Sequence, residues 1–146
     1  LRRQLQQSLA EARAAQQPLS LVILDLDDFS QINRLHGHAE GDRVLQALTQ
    51  LLLLNLRHRD LLCRLAGDRF VVLLPNTGAR EAQLLAEELR LAVAHLAYKA
   101  RAHGERLQLQ ASTAAVMALQ DDADGLLQRL NLALAKAKQP PYAHSA

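Results

Sequence analysis

Three acidic residues, Asp25, Asp27 and Asp28, stand directly behind an apolar run from Leu19 to Leu24. A fourth, Asp68, follows Gly67 between two further apolar runs, Leu61 to Leu65 and Phe70 to Leu74. If the first run is a strand and the other two a hairpin, the carboxylates converge wherever strand end and hairpin tip adjoin. Hard oxygen ligands on rigid strand ends suit Mg²⁺, which takes one or two carboxylates together with substrate phosphates. Gly67 has no Cβ and lets the backbone come close to a phosphate. A plainer role fits the same acids: Asp25, Asp27 and Asp28 can begin a helix, where negative charge favours the positive end of the dipole. On these residues alone both readings stand.

The elements that must position these groups follow from periodicity. Residues 1–17 carry Leu1, Leu5 and Leu9 on one helical stripe, ended by Pro18. Leu19 to Leu24 reads as a strand buried on both faces. Residues 29–35 form a short helix closed by Gly37. Residues 39–57, with Val44, Leu45, Leu48, Leu51 and Leu52, form an amphipathic helix. The runs 61–65 and 70–74 make a hairpin with a polar tip at 66–69, and Pro75 to Gly78 is a turn. A helix is predicted over 79–100, a strand over 106–117 and a last helix over 122–138, stopped by Pro140-Pro141. The order α-β-α-α-β-β-α-β-α predicts an α/β (α+β) domain whose sheet, holding a hairpin, cannot be all parallel. Residues 1–17 read as a helix connecting to an upstream region, 18–139 as the domain and 140–146 as a linker tail.

Composition narrows the function. The 146 residues suit one domain, and 33 Leu and 25 Ala favour helices around the sheet. Seventeen basic against fifteen acidic residues is too even for electrostatic nucleic-acid binding, and 3% aromatics is too few for base stacking. A single cysteine, Cys63, excludes an internal disulfide and points to a reducing, cytoplasmic setting, with Cys63 itself in the core. The longest apolar run, Leu51 to Leu54, is far short of a membrane span, so no membrane contact is expected of this segment. His36 and His38 flank Gly37 and read as structural rather than metal-binding. The chain begins with Leu and reads as an excised domain.

Local wording sharpens this picture. Asp25-Leu26-Asp27-Asp28-Phe29, Ile32-Asn33, and Gly37-His38-Ala39-Glu40-Gly41-Asp42-Arg43-Val44-Leu45 resemble the pattern DxDxFKxINDxxGHxxGDxxL of the GGDEF (diguanylate cyclase) family. Arg64-Leu65-Ala66-Gly67-Asp68-Arg69-Phe70 falls where that family carries RxGGDEF. Several blocks in order over residues 18–140 make a far more specific signal than one motif. The upstream signature DxLTxLxNR is not present. The resemblance implies a central mixed five-stranded sheet surrounded by helices, similar to the palm of nucleotide cyclases. It also implies a chemistry: active members condense two GTP into cyclic di-GMP with Mg²⁺ or Mn²⁺, one GTP on each domain of a homodimer.

Carried over residue by residue, the resemblance makes Asp25, the Leu26 carbonyl and Asp68 metal ligands. Asn33 and Asp42 become the guanine-reading pair, and Gly67 and Lys138 phosphate contacts. Arg57 and Asp60 match an RxxD motif that binds inhibitory cyclic di-GMP. The departures are Ala66 for the first loop glycine, Arg69 for the second acid, Ser30 for a lysine, Ser112-Thr113-Ala114 for a Ser-Ile-Gly motif, and Tyr142 where an arginine is expected. Arg69 reverses a charge beside the metals. The expectation is therefore a degenerate GGDEF domain, with Asp68 vestigial and turnover absent or strongly impaired. It would act as a regulatory module binding GTP or cyclic di-GMP, beside an EAL or sensory domain in a longer chain. The alternatives are an active cyclase with a variant loop and a dimerisation module with empty sites.

Overall fold

The chain runs α1 (Arg2–Ala15), β1 (Leu19–Leu26), α2 (Phe29–His36), α3 (His38–Leu54), β2 (Leu61–Ala66), β3 (Arg69–Pro75), α4 (Ala79–Ala94), β4 (Tyr98–Lys99), β5 (Arg106–Leu107), β6 (Ala111–Met117) and α5 (Ala123–Ala137). The structure, a computed structural model, describes residues 1–101 and 104–139. The expected linker tail 140–146, with Pro140-Pro141 and Tyr142, lies outside the described residues.

β1 is the spine. Every one of its residues is buried, as the unbroken apolar run requires. It lies between β3 and β6 in a sheet of order β2-β3-β1-β6. The α+β class is as expected, but the sheet is corrected in two respects. Among the described residues it has four strands rather than five, and every pairing is antiparallel rather than mixed.

The elements predicted after the hairpin also change. The predicted helix over 79–100 stops at Ala94, because Tyr98 and Lys99 pair with Leu107 and Arg106 in a separate ribbon. The predicted strand over 106–117 therefore splits. Leu109 turns into the core, and the chain joins β1 only from Gln110, whose carbonyl accepts from the Asp27 amide at 2.8 Å. Helix propensity is a weak prior that such tertiary pairing overrides.

Strand alternation divides the core into two faces. Val22, Leu24 and Leu26 of β1 pack with Phe70, Val72 and Leu74 of β3 against Val44, Leu48 and Leu52 of α3 and Leu89 and Val93 of α4. Leu19, Leu21 and Ile23 pack with Val71 and Leu73 against Leu5 and Leu9 of α1 and Leu126, Leu130 and Leu134 of α5. The N-terminal helix thus contributes to the core. Cys63 is buried on this second face, as expected. No described helix is long and apolar enough to cross a membrane.

Glycine is required at two points between α2 and α3. Gly37 has φ 87°, ending one helix and starting the next. At Gly41 a Cβ would stand 1.8 Å from Asn33 Oδ1, so only glycine lets the Asn33 amide lie on the α3 backbone.

One buried carboxylate ties the small ribbon to α3. Glu40 accepts from Arg43 Nη2 at 3.0 Å, from the Tyr98 hydroxyl, and from the Arg101 amide at 2.8 Å. The hydrogen bonds from Arg43, and then from Tyr98, hold its carboxyl at about 2 instead of 4.5. A carboxyl depressed on folding adds stability above its unfolded value and loses it as pH falls toward its folded one. Wild-type stability is therefore expected to drop between pH 4.5 and about 2, and less steeply in Glu40→Gln. Urea unfolding across that range measures the difference; equal slopes for the two proteins would exclude Glu40 as the source.

Candidate functional site

Parity decides which way the strand-end charges face. Residues 19, 21 and 23 of β1 look toward α5, so Asp25 does too. Residues 71 and 73 of β3 share that face, so Arg69 joins them. The register sets Asp25 and Arg69 directly opposite each other. Arg69 Nη2 donates to Asp25 Oδ2 at 3.1 Å. Lys138, the residue capping α5, donates from Nζ to the same oxygen.

Asp25 is 5% exposed. Burial works against its charge, but hydrogen bonds from Lys138 and Arg69 outweigh it and hold the carboxyl below the usual range. Asp68 goes the other way: burial, and then the charge of Asp25, push its carboxyl up. The structure therefore brings Asp25 and Asp68 together, as predicted for a shared centre, but with two cations on Asp25.

The hairpin tip is tighter than expected. Ala66 pairs with Arg69, leaving only Gly67 and Asp68 to turn, and Leu65 is an extra residue between Arg64 and Ala66. The Asp68 carbonyl accepts from the Leu26 amide at 3.0 Å, which pins the tip to the end of β1. Arg64 Nε and Nη2 donate to the Gly67 carbonyl at 3.0 and 2.6 Å, fixing the loop from behind. A Cβ at Gly67 would meet open space. On the other side of β1, Asp27 Oδ1 accepts from Ser112 Oγ at 2.9 Å.

Two carboxylates at a strand end recommend a divalent ion, and Asp25 Oδ1 is buried without a hydrogen-bond partner. The rest of the donor set does not fit one. Asp25 Oδ2 is held by a guanidinium and an ammonium, and no three His, Cys, Asp or Glu side chains gather for a metal among the described residues. Arg69 brings positive charge where another oxygen ligand would be needed.

Asn33 and Asp42 come together through Gly41. Asn33 is half-buried on α2, against Gly41, and Asp42 is exposed on the next residue of α3. Asp42 lines a groove of about 660 Å³ with Leu45, Gln46, Thr49 and, across from them, Arg64. Arg64 was legible as part of the loop motif, but its double duty, bracing the tip and walling this groove, was not. Ser30 is exposed at the start of α2.

The Arg57–Asp60 pair stands apart from that centre. Asp60 Oδ2 accepts from the Arg57 amide at 2.9 Å and from Nε at 3.2 Å, and Oδ1 accepts from Nη2 at 3.3 Å. Arg57 Nη2 also donates to Thr77 Oγ1 at 2.6 Å, and Glu81 lies 3.7 Å from Nη1. These residues line a cavity of about 300 Å³ with Leu84 and Leu85. The pair was legible only through the family's RxxD motif; Thr77 and Glu81 carry no local signal, since the α4 turn delivers them. His36, read as structural, contacts Glu105 at 3.4 Å.

The protein-family model described as "Diguanylate cyclase, GGDEF domain" matches residues 1–142. Diguanylate cyclase DgcP of Pseudomonas aeruginosa is 35% identical over 141 residues, 95% of this chain and 21% of that protein. Diguanylate cyclase DosC of Escherichia coli (strain K12) is 36% identical over 109 residues, 75% of this chain and 24% of that protein. This chain thus spans a quarter or less of the length of these curated relatives. The GGDEF domain of DgcB from Caulobacter crescentus, solved with c-di-GMP, matches with a TM-score of 0.88 at 23% identity, covering 92% of this chain and 80% of that one, a likeness of fold. Matched nearly end to end by the family model and at 35% identity by a relative, this chain belongs to the GGDEF diguanylate cyclase domain family.

Proposed function

We propose that this chain is a GGDEF domain of cyclic di-GMP signalling that has lost turnover and works as a regulatory nucleotide-binding module. The observation that carries this reading is the Arg69–Asp25 ion pair. Phosphoryl transfer depends on positioning and on neutralising the moving charge with ions held by carboxylates. Here the key carboxylate is already neutralised by side chains, and the second loop acid is a cation. The whole protein, longer than this chain if it resembles its relatives, would carry an EAL or sensory domain that this module informs from the cytoplasm, with homodimerisation a further property to test.

Incubation with GTP and Mg²⁺ or Mn²⁺ is expected to yield no detectable cyclic di-GMP, at least about a thousandfold below a competent cyclase, from the several kcal/mol a misplaced catalytic charge costs. Chromatography of the products measures it. Turnover by the wild type that Asp68→Ala abolishes would establish the active alternative instead.

Guanine selectivity rests on Asn33 and Asp42. An amide and a carboxylate can pair with the donors and acceptor of guanine's Watson–Crick edge, whereas adenine offers a different set. GTP is expected to bind tighter than ATP, and Asp42→Ala to narrow the gap. Calorimetric affinities that are equal for both nucleotides would remove the guanine reading.

Cyclic di-GMP is assigned to Arg57 and Asp60 rather than to the Ala66–Arg69 loop. Arg57 is half-exposed and held in place by Asp60 and Thr77, so its guanidinium is fixed at the cavity, where its Nη1 side can meet a phosphate or a guanine edge. Arg57→Ala is expected to weaken binding by ~1.5–3 kcal/mol, the value of a charge-assisted contact, and Asp68→Ala to leave it nearly unchanged. Titration of both variants, with circular dichroism to verify folding, provides the comparison. Wild-type affinity in Arg57→Ala would reduce the pair to a surface ion cluster.

A further inference from the structure

The Asp25 centre has an unusual charge balance for a place that resembles a metal site. Asp25 and Asp68 bring two carboxylates, while Arg69 and Lys138 bring two cations onto one oxygen of Asp25. The side-chain charges already cancel. An acid at position 69, as in the family pattern, would leave the same group with a surplus of negative charge. Exchanging that acid for arginine shifts the local charge by two units, which is the charge of one divalent ion.

Exposure indicates which groups remain available. The Asp25 side chain is 6% exposed, whereas Arg69 and Lys138 are 34% and 38% exposed. Both cations therefore touch Asp25 on the inside and solvent on the outside, at the mouth formed by the β1 end and the hairpin tip. The Arg69 side chain makes one hydrogen bond, through Nη2, so the rest of its planar fork is free of partners among the described residues. A planar fork beside an ammonium is the arrangement that receives phosphate oxygens. Gly67, on the same tip, leaves open space where a side chain would stand.

We propose that Arg69 stands in for a divalent cation, so that this centre receives the triphosphate of a guanine nucleotide through Arg69 and Lys138 without Mg²⁺ or Mn²⁺. This rests on the reading of the domain as a guanine-nucleotide module, and it departs from the metal requirement that the family resemblance implies. Nothing in it requires a chemical step. Asp25 orients the two cations, and they carry the charge complementarity.

The test is calorimetric titration of the folded domain with GTP, in excess Mg²⁺ and in a chelator, for the wild type, Arg69→Gln and Arg69→Glu. Thermal unfolding shows that each variant is folded. The wild type is expected to bind GTP in chelator at least as well as in Mg²⁺, within about threefold. Arg69→Gln is expected to weaken chelator binding by about tenfold or more, the loss of one charge-assisted contact. Arg69→Glu is expected to abolish chelator binding and to make any remaining binding depend on Mg²⁺. Wild-type binding that needs Mg²⁺, or unchanged chelator binding in Arg69→Gln, overturns this proposal and leaves the module reading intact. No GTP binding in either condition overturns both this proposal and the guanine reading of Asn33 and Asp42, and leaves cyclic di-GMP at Arg57 and Asp60 as the module's ligand.

Discussion

A carboxylate at the end of a fully buried strand stays ionised only if positive charge comes to it. Asp25 is that carboxylate, and the surrounding structure follows from supplying the charge. Arg69 reaches it because β1 and β3 pair in a register that sets the two residues opposite each other. Lys138 reaches it because α5 packs its Leu126, Leu130 and Leu134 stripe on the same sheet face and ends over the strand terminus. A slip of one residue in the β1–β3 register would turn Asp25 or Arg69 to the α3 face and separate the pair. Core packing and site electrostatics are thus one constraint: the leucines that choose the face also choose who meets Asp25.

β1, the hairpin, the paired helices α2 and α3 and the last helix follow from runs and spacings that local physics enforces, and the motif blocks located Asp25, Asn33, Asp42, Asp68 and the Arg57–Asp60 pair. The ribbon of β4 and β5 was invisible, because its strands are two residues each and Tyr98 sits in a helix-favouring stretch. What places Tyr98 is the buried carboxylate of Glu40, far away in sequence. Arg69 was legible as a reversed charge but not as a partner of Asp25, because a register is a property of two strands together. Thr77 beside Arg57 is likewise delivered by a turn whose own amide is held by the Pro18 carbonyl at 3.2 Å.

The Arg57–Asp60 and Arg69–Asp25 pairs do different work for a physical reason. Arg57 and Asp60 lie three residues apart, so their pairing closes a local turn and survives small movements of the sheet. Arg69 and Asp25 are 44 residues apart, and their pairing reports the sheet register itself. The first pair presents an exposed guanidinium to a cavity walled by Thr77, Leu84 and Leu85. The second draws its guanidinium inward onto a buried oxygen. A ligand at Arg57 adds to an arrangement already complete, whereas a ligand at Arg69 must share a cation with Asp25.

That sharing bears on how such a centre stays folded. With an acid at position 69, three carboxylates would crowd the end of β1 and only Lys138 would oppose them, so the strand end would repel itself until a cation arrived. With Arg69, the Asp25 carboxyl is held low and the tip is fastened through Leu26, Asp68 and Arg64 without help from a ligand. Exposure of about a third on both cations keeps the pair well below the energetic weight of a fully buried bridge. It is nevertheless enough to remove the repulsion that an all-acid centre would carry between turnovers. The arginine that argues against catalysis is, on the same electrostatics, the residue that lets this strand end stand ordered on its own.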